Sequence, residues 1–112
     1  MSSSGNLNKI LKILDDKKAK DISTINIEGI SILADYFVIC SGTSSTHIKA
    51  LADEVEVKMA EEGFNCFHRE GYDTAKWILL DFGDIVVHIF HDEDRSFYNL
   101  ERLWSDGVVV HV

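Results

Sequence analysis

Two apolar segments separated by Gly83-Asp84 constrain the fold more than any other feature of this chain. They extend over Trp77–Phe82 and Ile85–Phe90, and both are rich in β-branched and aromatic residues. Runs of this length and composition, joined by a two-residue Gly-Asp loop, are typical of a β-hairpin. The segment that follows, from about residue 92 to 104, has apolar residues at helical spacing and predicts an amphipathic helix.

The remaining segments complete a small α/β (α+β) domain in which helices pack on a mixed β-sheet. Helical spacing predicts a first helix over about residues 6–18 and a second that begins after the Ser41–Thr46 turn and ends near Gly63. Strands are predicted at 22–28, 36–40 and 66–70, the middle one being a central strand with both faces covered. A single domain is expected over residues 1–112, with loose ends at 1–5 and 107–112 unless residues 108–112 add an edge strand.

The negative charge of the chain is concentrated in its C-terminal part. The net charge is −8, and it divides into +1 for residues 1–50, −4 for residues 51–80 and −5 for residues 81–112. Direct nucleic-acid binding requires a basic surface that displaces counterions from phosphates, so little or no nucleic-acid contact is expected. An acidic surface of this kind favours encounter with a basic partner.

Composition also bears on the compartment. No apolar run approaches the ~20 residues of a membrane-spanning helix, and the N-terminal residues have neither the basic start nor the apolar stretch of a secretory signal. Cys40 and Cys66 are expected to be thiols rather than part of a disulfide framework. A cytoplasmic protein without membrane contact is therefore predicted.

The pleat divides the predicted hairpin into two faces of different character. One face is wholly apolar and consists of Ile78, Leu80, Phe82, Ile85, Val87 and Ile89. The other face is mixed and carries Trp77, Leu79, Asp81, Val86, His88 and Phe90. Because buried ionisable groups must be paired, we expect the apolar face under the helices and the mixed face accessible to a partner. The alternative is that a helix or the C-terminal tail covers the mixed face and that Asp81 pairs with His88.

Catalytic and metal chemistry find little support in the sequence. The five histidines do not occur at the spacing of zinc ligands, and no Gly-x-Ser-x-Gly elbow is present, so neither a metal nor a cofactor is expected. The Ser41–Ser44 turn between a strand and a helix is a weak phosphate-binding signal, and it looks like the opening of the nucleotidyltransferase fold. Those enzymes hold two magnesium ions with several carboxylates, whereas the next strand offers only Glu70.

Several sequence motifs, taken in order and spacing, resemble one protein family. The matching elements are Ala34–Ile39, Ser41–Ser44, His47, Ala50, Glu70-Gly71, Trp77–Asp81, Gly83–Phe90, Arg95, Tyr98, Leu100, Glu101, Leu103 and Trp104. Over about residues 7–106 the chain resembles the ribosomal silencing factors, the Iojap/RsfS family. The resemblance implies a nucleotidyltransferase-like fold that lacks the catalytic carboxylates, and therefore a protein that is not an enzyme.

The resemblance also implies a function. Such factors bind the large ribosomal subunit through its ribosomal protein fourteen and sterically block association with the small subunit, which represses translation under nutrient limitation. Members of the family are often dimeric when isolated, so a homodimer is an alternative use of the same surface. A nucleotidyltransferase-like nucleotide-binding enzyme is the alternative function.

The predicted partner-binding residues combine the resemblance with the hairpin. Trp77, Leu79, Asp81 and His88 are expected to form the contact face, with Glu70 and Asp84 at its acidic margin. Tyr98 and Glu101, on the predicted last helix, are further candidates.

Overall fold

The computed structural model describes residues 3–28, 34–92 and 108–111, which contain two helices and six strands. In chain order these are α1 (Ser3–Asp16), β1 (Lys20–Asn26), β2 (Tyr36–Gly42), α2 (Ser45–Glu61), β3 (His68–Glu70), β4 (Trp77–Asp81), β5 (Ile85–His91) and β6 (Val108–His111). Neither helix has the length and apolar character that crossing a bilayer requires, so no membrane span is found among these residues.

All six strands belong to one mixed sheet, in the order β3-β4-β5-β2-β1-β6. β2 and β5 pair in parallel, and the other neighbouring strands are antiparallel. β2 lies inside the sheet, and all its residues except Tyr36 are buried, as expected for a strand covered on both faces. The predicted class, helices packed on a mixed sheet, is therefore confirmed.

β4 and β5 form the predicted hairpin in the predicted register. Ile78 lies opposite Ile89 and Leu80 lies opposite Val87. The loop consists of Gly83-Asp84, because the Phe82 N–H donates to the Ile85 carbonyl at 2.9 Å. Gly83 has φ +91°, which hairpin turns of this length require at their first position and which side chains other than hydrogen disfavour.

The larger core lies between the sheet and the two helices. α2 buries the five residues that helical spacing selects: Ile48, Leu51, Ala52, Val55 and Met59. All six side chains of the apolar hairpin face lie in the same core, which confirms that this face packs under the helices. An ion pair between Lys9 and Glu62 at 2.6 Å links α1 to the end of α2.

A second, smaller core lies on the opposite face of the sheet. Its buried members are Ile25, Ile27, Ala34, Phe37, Ile39, Val86 and Phe90, and Trp77 and Leu79 pack against it. The expectation that the mixed hairpin face is accessible as a whole is therefore wrong. The physical reason is the parallel pairing of β2 with β5, which places Val86 beside Phe37 and so joins the mixed face to a second apolar surface that sequence-local alternation does not reveal.

Several boundaries differ from the sequence-based prediction. β1 begins at Lys20, two residues early, because Lys20 pairs with Ser41 across an irregularity in which Asp21 has φ +51°. α1 begins at Ser3, within an end predicted to be loose. Val108–His111 form the edge strand β6, antiparallel to β1, rather than a loose tail. The helix predicted over about residues 92–104 lies outside the described residues apart from its first position.

Candidate partner-binding site

The residues that could meet a partner form a strip along one margin of the sheet. β4 alternates between two faces, and its side chains Trp77, Leu79 and Asp81 are half-buried on the face opposite the helices. On the neighbouring strand β3, Glu70 pairs with Leu79 and His68 pairs with Asp81, and both β3 side chains are exposed. We call these five residues (Trp77, Leu79, Asp81, His68 and Glu70) the β3–β4 strip.

Neighbouring residues hold both the backbone and the side chain of Trp77 in place. Gly71 has φ +79°, and a Cβ atom there would lie 2.0 Å from the Trp77 carbonyl oxygen, so the backbone approach at this point requires glycine. The indole stacks on the Phe90 ring with centroids 5.1 Å apart. Its Nε1–H donates to His88 Nδ1 at 3.0 Å. The Glu70-Gly71 motif thus has a structural reason: it places the start of β4.

His88 is not at an accessible margin, and that expectation is corrected here. Its side chain is buried, with 4% of the residue exposed, and it contacts the rings of Phe37 and Phe90. Burial lowers the pKa of His88 to about 4, so the imidazole is neutral near pH 7. The rule that ionisable groups avoid the core gave the wrong prediction for His88. A neutral imidazole with one nitrogen bonded to an indole N–H can be buried at a moderate cost in free energy.

The acidic residues at the hairpin end are held by the turn. Asp81 Oδ1 accepts a hydrogen bond from the Gly83 N–H at 2.8 Å, and it therefore braces the loop instead of pairing with His88. Asp84 is exposed, and its carbonyl accepts from the N–H groups of Asp35 and Tyr36 at 2.8 and 3.1 Å. Asp84 thus lies in the loop at one end of β4, whereas Glu70 lies beside Leu79 within the β3–β4 strip.

The cation of β3 does not offset this acidity at the strip. Arg69 alternates to the helix side of the sheet, where its guanidinium lies 3.1 Å from Glu56 on α2. It also lies over the Tyr72 ring at 4.2 Å. Because the Arg69 charge is engaged with α2, it does not neutralise the carboxylates of the β3–β4 strip.

One exposed aromatic residue was missed by the sequence-based prediction. Phe67 is 77% exposed, and its backbone N–H donates to the Asp81 carbonyl at 2.8 Å. Its ring lies beside the hairpin loop, since a Cβ atom on Gly83 would come within 3.1 Å of it. The sequence carries no signal for this exposure, because Cys66-Phe67 are two adjacent apolar residues and the polar residues His68–Glu70 follow them without alternation. Tyr98 and Glu101, the other predicted contact residues, lie outside the described residues.

The Ser41–Ser44 turn is closed by contacts within the chain. The Thr43 N–H donates to His47 Nδ1 at 3.1 Å, so the His47 proton is assigned to Nε2, which donates to the Lys17 carbonyl at 3.0 Å. Ser44 caps α2 by accepting from the His47 N–H. A phosphate at this turn would have to displace the bond between Thr43 and His47. In the described part of the chain, no three His, Cys, Asp or Glu side chains are grouped as metal ligands would be.

Comparison with known proteins identifies the family. Residues 1–112 match the family described as ribosomal silencing factor during starvation. The chain belongs to the ribosomal silencing factor family. The ribosomal silencing factor RsfS of Bacillus subtilis (strain 168) is 49% identical over 106 residues, which cover 91% of this chain and 90% of that protein. The family name denotes a regulatory, ribosome-associated factor and not a known enzyme.

A solved structure and a more distant relative are also similar to this chain. A crystal structure of a protein from Chromobacterium violaceum superposes with a TM-score of 0.90 at 32% identity, covering 94% of this chain and 88% of that one. The mouse protein named mitochondrial assembly of ribosomal large subunit protein 1 is 35% identical over 104 residues, covering 88% of this chain and 45% of that protein. The resemblance read from the sequence motifs is thereby confirmed.

Proposed function

We propose that this protein binds the large ribosomal subunit through ribosomal protein fourteen and blocks association with the small subunit. The β3–β4 strip is the contact face. In this proposal the protein acts by occupying a surface that would otherwise join the subunits, so that translation falls when nutrients are scarce. Membership of the ribosomal silencing factor family supports the ribosomal partner, and the name of the mouse relative supports the large subunit.

The observation that carries the proposal is the placement of a half-buried tryptophan on an acidic margin of the sheet. Trp77 and Leu79 offer apolar area, and Asp81 and Glu70 border them. Interfaces concentrate their binding energy in such aromatic residues, surrounded by a polar rim. Carboxylates in the rim steer a basic partner into place and disfavour acidic ones. Ribosomal proteins are commonly basic because they neutralise RNA phosphates, so the charge is complementary.

Occlusion requires no chemistry, only binding strong enough to compete. A factor that holds the joining surface of the large subunit raises the apparent dissociation constant of the small subunit by the factor 1 + [factor]/Kd. Rigidity of the contact face helps, because residues already ordered in the sheet lose little entropy on binding. Asp81 bonded to the Gly83 N–H, and Trp77 bonded to His88, are both ordered before any partner arrives.

Co-sedimentation with purified ribosomal subunits tests the proposal. We expect the wild-type protein to pellet with large subunits and not with small ones, and to lower the yield of joined ribosomes in a sucrose gradient. Trp77→Ala should weaken binding at least about 30-fold, as the loss of an interface hot spot does. Val57→Ala is the matched control, because Val57 is an exposed apolar residue (56%) on the helix side of the sheet.

The outcomes separate the parts of the proposal. Binding by Trp77→Ala equal to that of the wild type would reject the β3–β4 strip as the contact face. Binding without any effect on subunit joining would reject occlusion while keeping the ribosomal partner. A circular dichroism spectrum and a thermal melt for each variant establish that the fold is retained.

A further inference from the structure

The hydrogen bond between Trp77 and His88 crosses the hairpin diagonally. Trp77 pairs with Phe90 and Leu79 pairs with His88, so the indole must lean along the strand to reach the imidazole. The two rings have centroids 5.8 Å apart, and the Nε1 to Nδ1 distance is 3.0 Å. Since an indole N–H only donates, Nδ1 of His88 is the acceptor and its proton resides on Nε2.

The other imidazole nitrogen indicates that packing alone does not explain a histidine at this position. Nε2 of His88 is buried and has no hydrogen-bond partner among the residues that the structure describes. An unsatisfied buried donor opposes folding by at least as much as the Nδ1 bond favours it, and the rings of Phe37 and Phe90 beside it would accept an apolar neighbour without that cost. A phenylalanine would thus pack among these rings without an unpaired nitrogen of its own. What the histidine adds is an acceptor for the Trp77 N–H.

We propose that His88 is a positioning residue, which holds the Trp77 indole in one orientation on the β3–β4 strip and so fixes the part of the ring that the ribosomal partner meets. This inference rests on the proposed function, because it assigns a role in partner binding to a residue that the partner does not touch. Removing the bond to Nδ1 removes one of the contacts that hold the indole, so that other orientations of the ring become more populated. The partner would then select one of several orientations, and its apparent affinity would fall by the fraction that is competent.

The fixed orientation also determines what kind of group the partner presents to Trp77. The indole N–H is already engaged with His88, and one face of the ring stacks on Phe90 at an interplanar angle of 26°. A hydrogen-bond acceptor on the partner would therefore gain nothing from the indole. Where a partner reaches the indole, an apolar group gains contact area and a cation gains attraction to the ring. An arginine or lysine side chain fits this description and agrees with the acidic rim formed by Glu70 and Asp81.

Two substitutions at position 88 separate the acceptor from the packing. His88→Phe keeps a planar ring of similar size and removes the acceptor, whereas His88→Asn places an amide oxygen close to the position of Nδ1. We expect His88→Phe to bind purified large subunits about fivefold more weakly, with an unfolding midpoint in urea equal to or above that of the wild type. His88→Asn should bind within about twofold of the wild type, although the lost ring volume lowers its unfolding midpoint. A merely structural role predicts the opposite order of binding.

A double-mutant cycle shows whether His88 acts through Trp77. In a Trp77→Phe background there is no indole N–H, so adding His88→Phe should leave binding unchanged. Full-strength binding by His88→Phe, together with weak binding by Trp77→Ala, would overturn the positioning role and leave the proposed function intact. Wild-type binding by Trp77→Ala would overturn both.

Nuclear magnetic resonance of the wild-type protein tests the positioning role of His88 even if His88→Phe does not fold. The chain has two tryptophans, and Trp104→Phe identifies the indole N–H signal of Trp77. We expect that signal to be protected from exchange with water, and the nitrogen shifts of His88 to report a proton on Nε2. A proton on Nδ1, or rapid exchange of the Trp77 indole N–H, would overturn the inference.

Discussion

Acidification from pH 7 to pH 5 should destabilise this protein through His88, well before its carboxylates become protonated. In the unfolded chain a histidine takes up a proton below pH 6.5, whereas burial lowers the pKa of folded His88 to about 4. Between these values the unfolded state binds more protons than the folded state. The free energy of unfolding therefore falls as the pH falls through this window, and the full stability is present above it.

The magnitude follows from the two pKa values. Each pK unit corresponds to 1.36 kcal/mol, so the complete effect of a shift from 6.5 to about 4 is about 3 kcal/mol. At pH 5 the unfolded histidine is almost fully protonated and the folded one is almost fully neutral, which gives a loss of about 2 kcal/mol relative to pH 7. This loss is a large fraction of the stability of a small domain.

Urea denaturation of the wild type and of His88→Phe at pH 7, 6 and 5 measures the effect. The informative quantity is the difference between the two pH dependences, because the groups common to both proteins cancel. We expect the unfolding free energy of the wild type to fall by about 2 kcal/mol more than that of the variant between pH 7 and pH 5. Parallel curves would show that folded His88 titrates normally, and would refute the buried, neutral imidazole from which the role of His88 is argued.

Three further predictions concern the backbone, the Ser-Gly turn and the exposed aromatic residue. In urea denaturation, Gly71→Ala should lower the unfolding free energy by about 2 kcal/mol more than Gly63→Ala does. Both glycines have φ near +80°, but only Gly71 lies against a carbonyl oxygen, that of Trp77. Equal losses would contradict the close backbone contact between Gly71 and Trp77. Millimolar nucleoside triphosphate with magnesium should leave the melting temperature unchanged, because His47 occupies the Thr43 N–H, whereas a rise of several degrees would favour the nucleotide-binding alternative. Phe67→Ser should change the unfolding free energy by less than about 0.5 kcal/mol, because Phe67 is 77% exposed. Weaker binding of this variant to large subunits would show that Phe67 extends the contact face. Unchanged binding would confine that face to the β3–β4 strip.

The parts of the fold governed by local rules were predictable from the sequence. A two-residue loop at Gly83-Asp84 determines the hairpin register, and once the register is known the alternation of apolar residues identifies the face that packs on the helices. Helical spacing likewise identified the buried side of α2, because every apolar residue on one stripe of a surface helix meets the same core.

The parts that depend on distant pairing were not predictable in this way. The mixed hairpin face is half core because β2 pairs with β5 in parallel, a pairing that spans about fifty residues and leaves no local signature. The hydrogen bond between His88 and Trp77 could not be predicted from alternation either, because this diagonal contact depends on side-chain torsions. The shared face of Trp77, Leu79 and Asp81 could be predicted from the alternation along β4, whereas the burial of His88 required the structure.

An electron cryomicroscopy reconstruction of the protein bound to the large ribosomal subunit is the most direct test of how it acts. We expect ribosomal protein fourteen to lie against the β3–β4 strip, with a basic or apolar side chain over the Trp77 indole and the protein across the surface that the small subunit would occupy. A complex in which α1 and α2 face the subunit, and the strip is left in solvent, would contradict the proposed contact face.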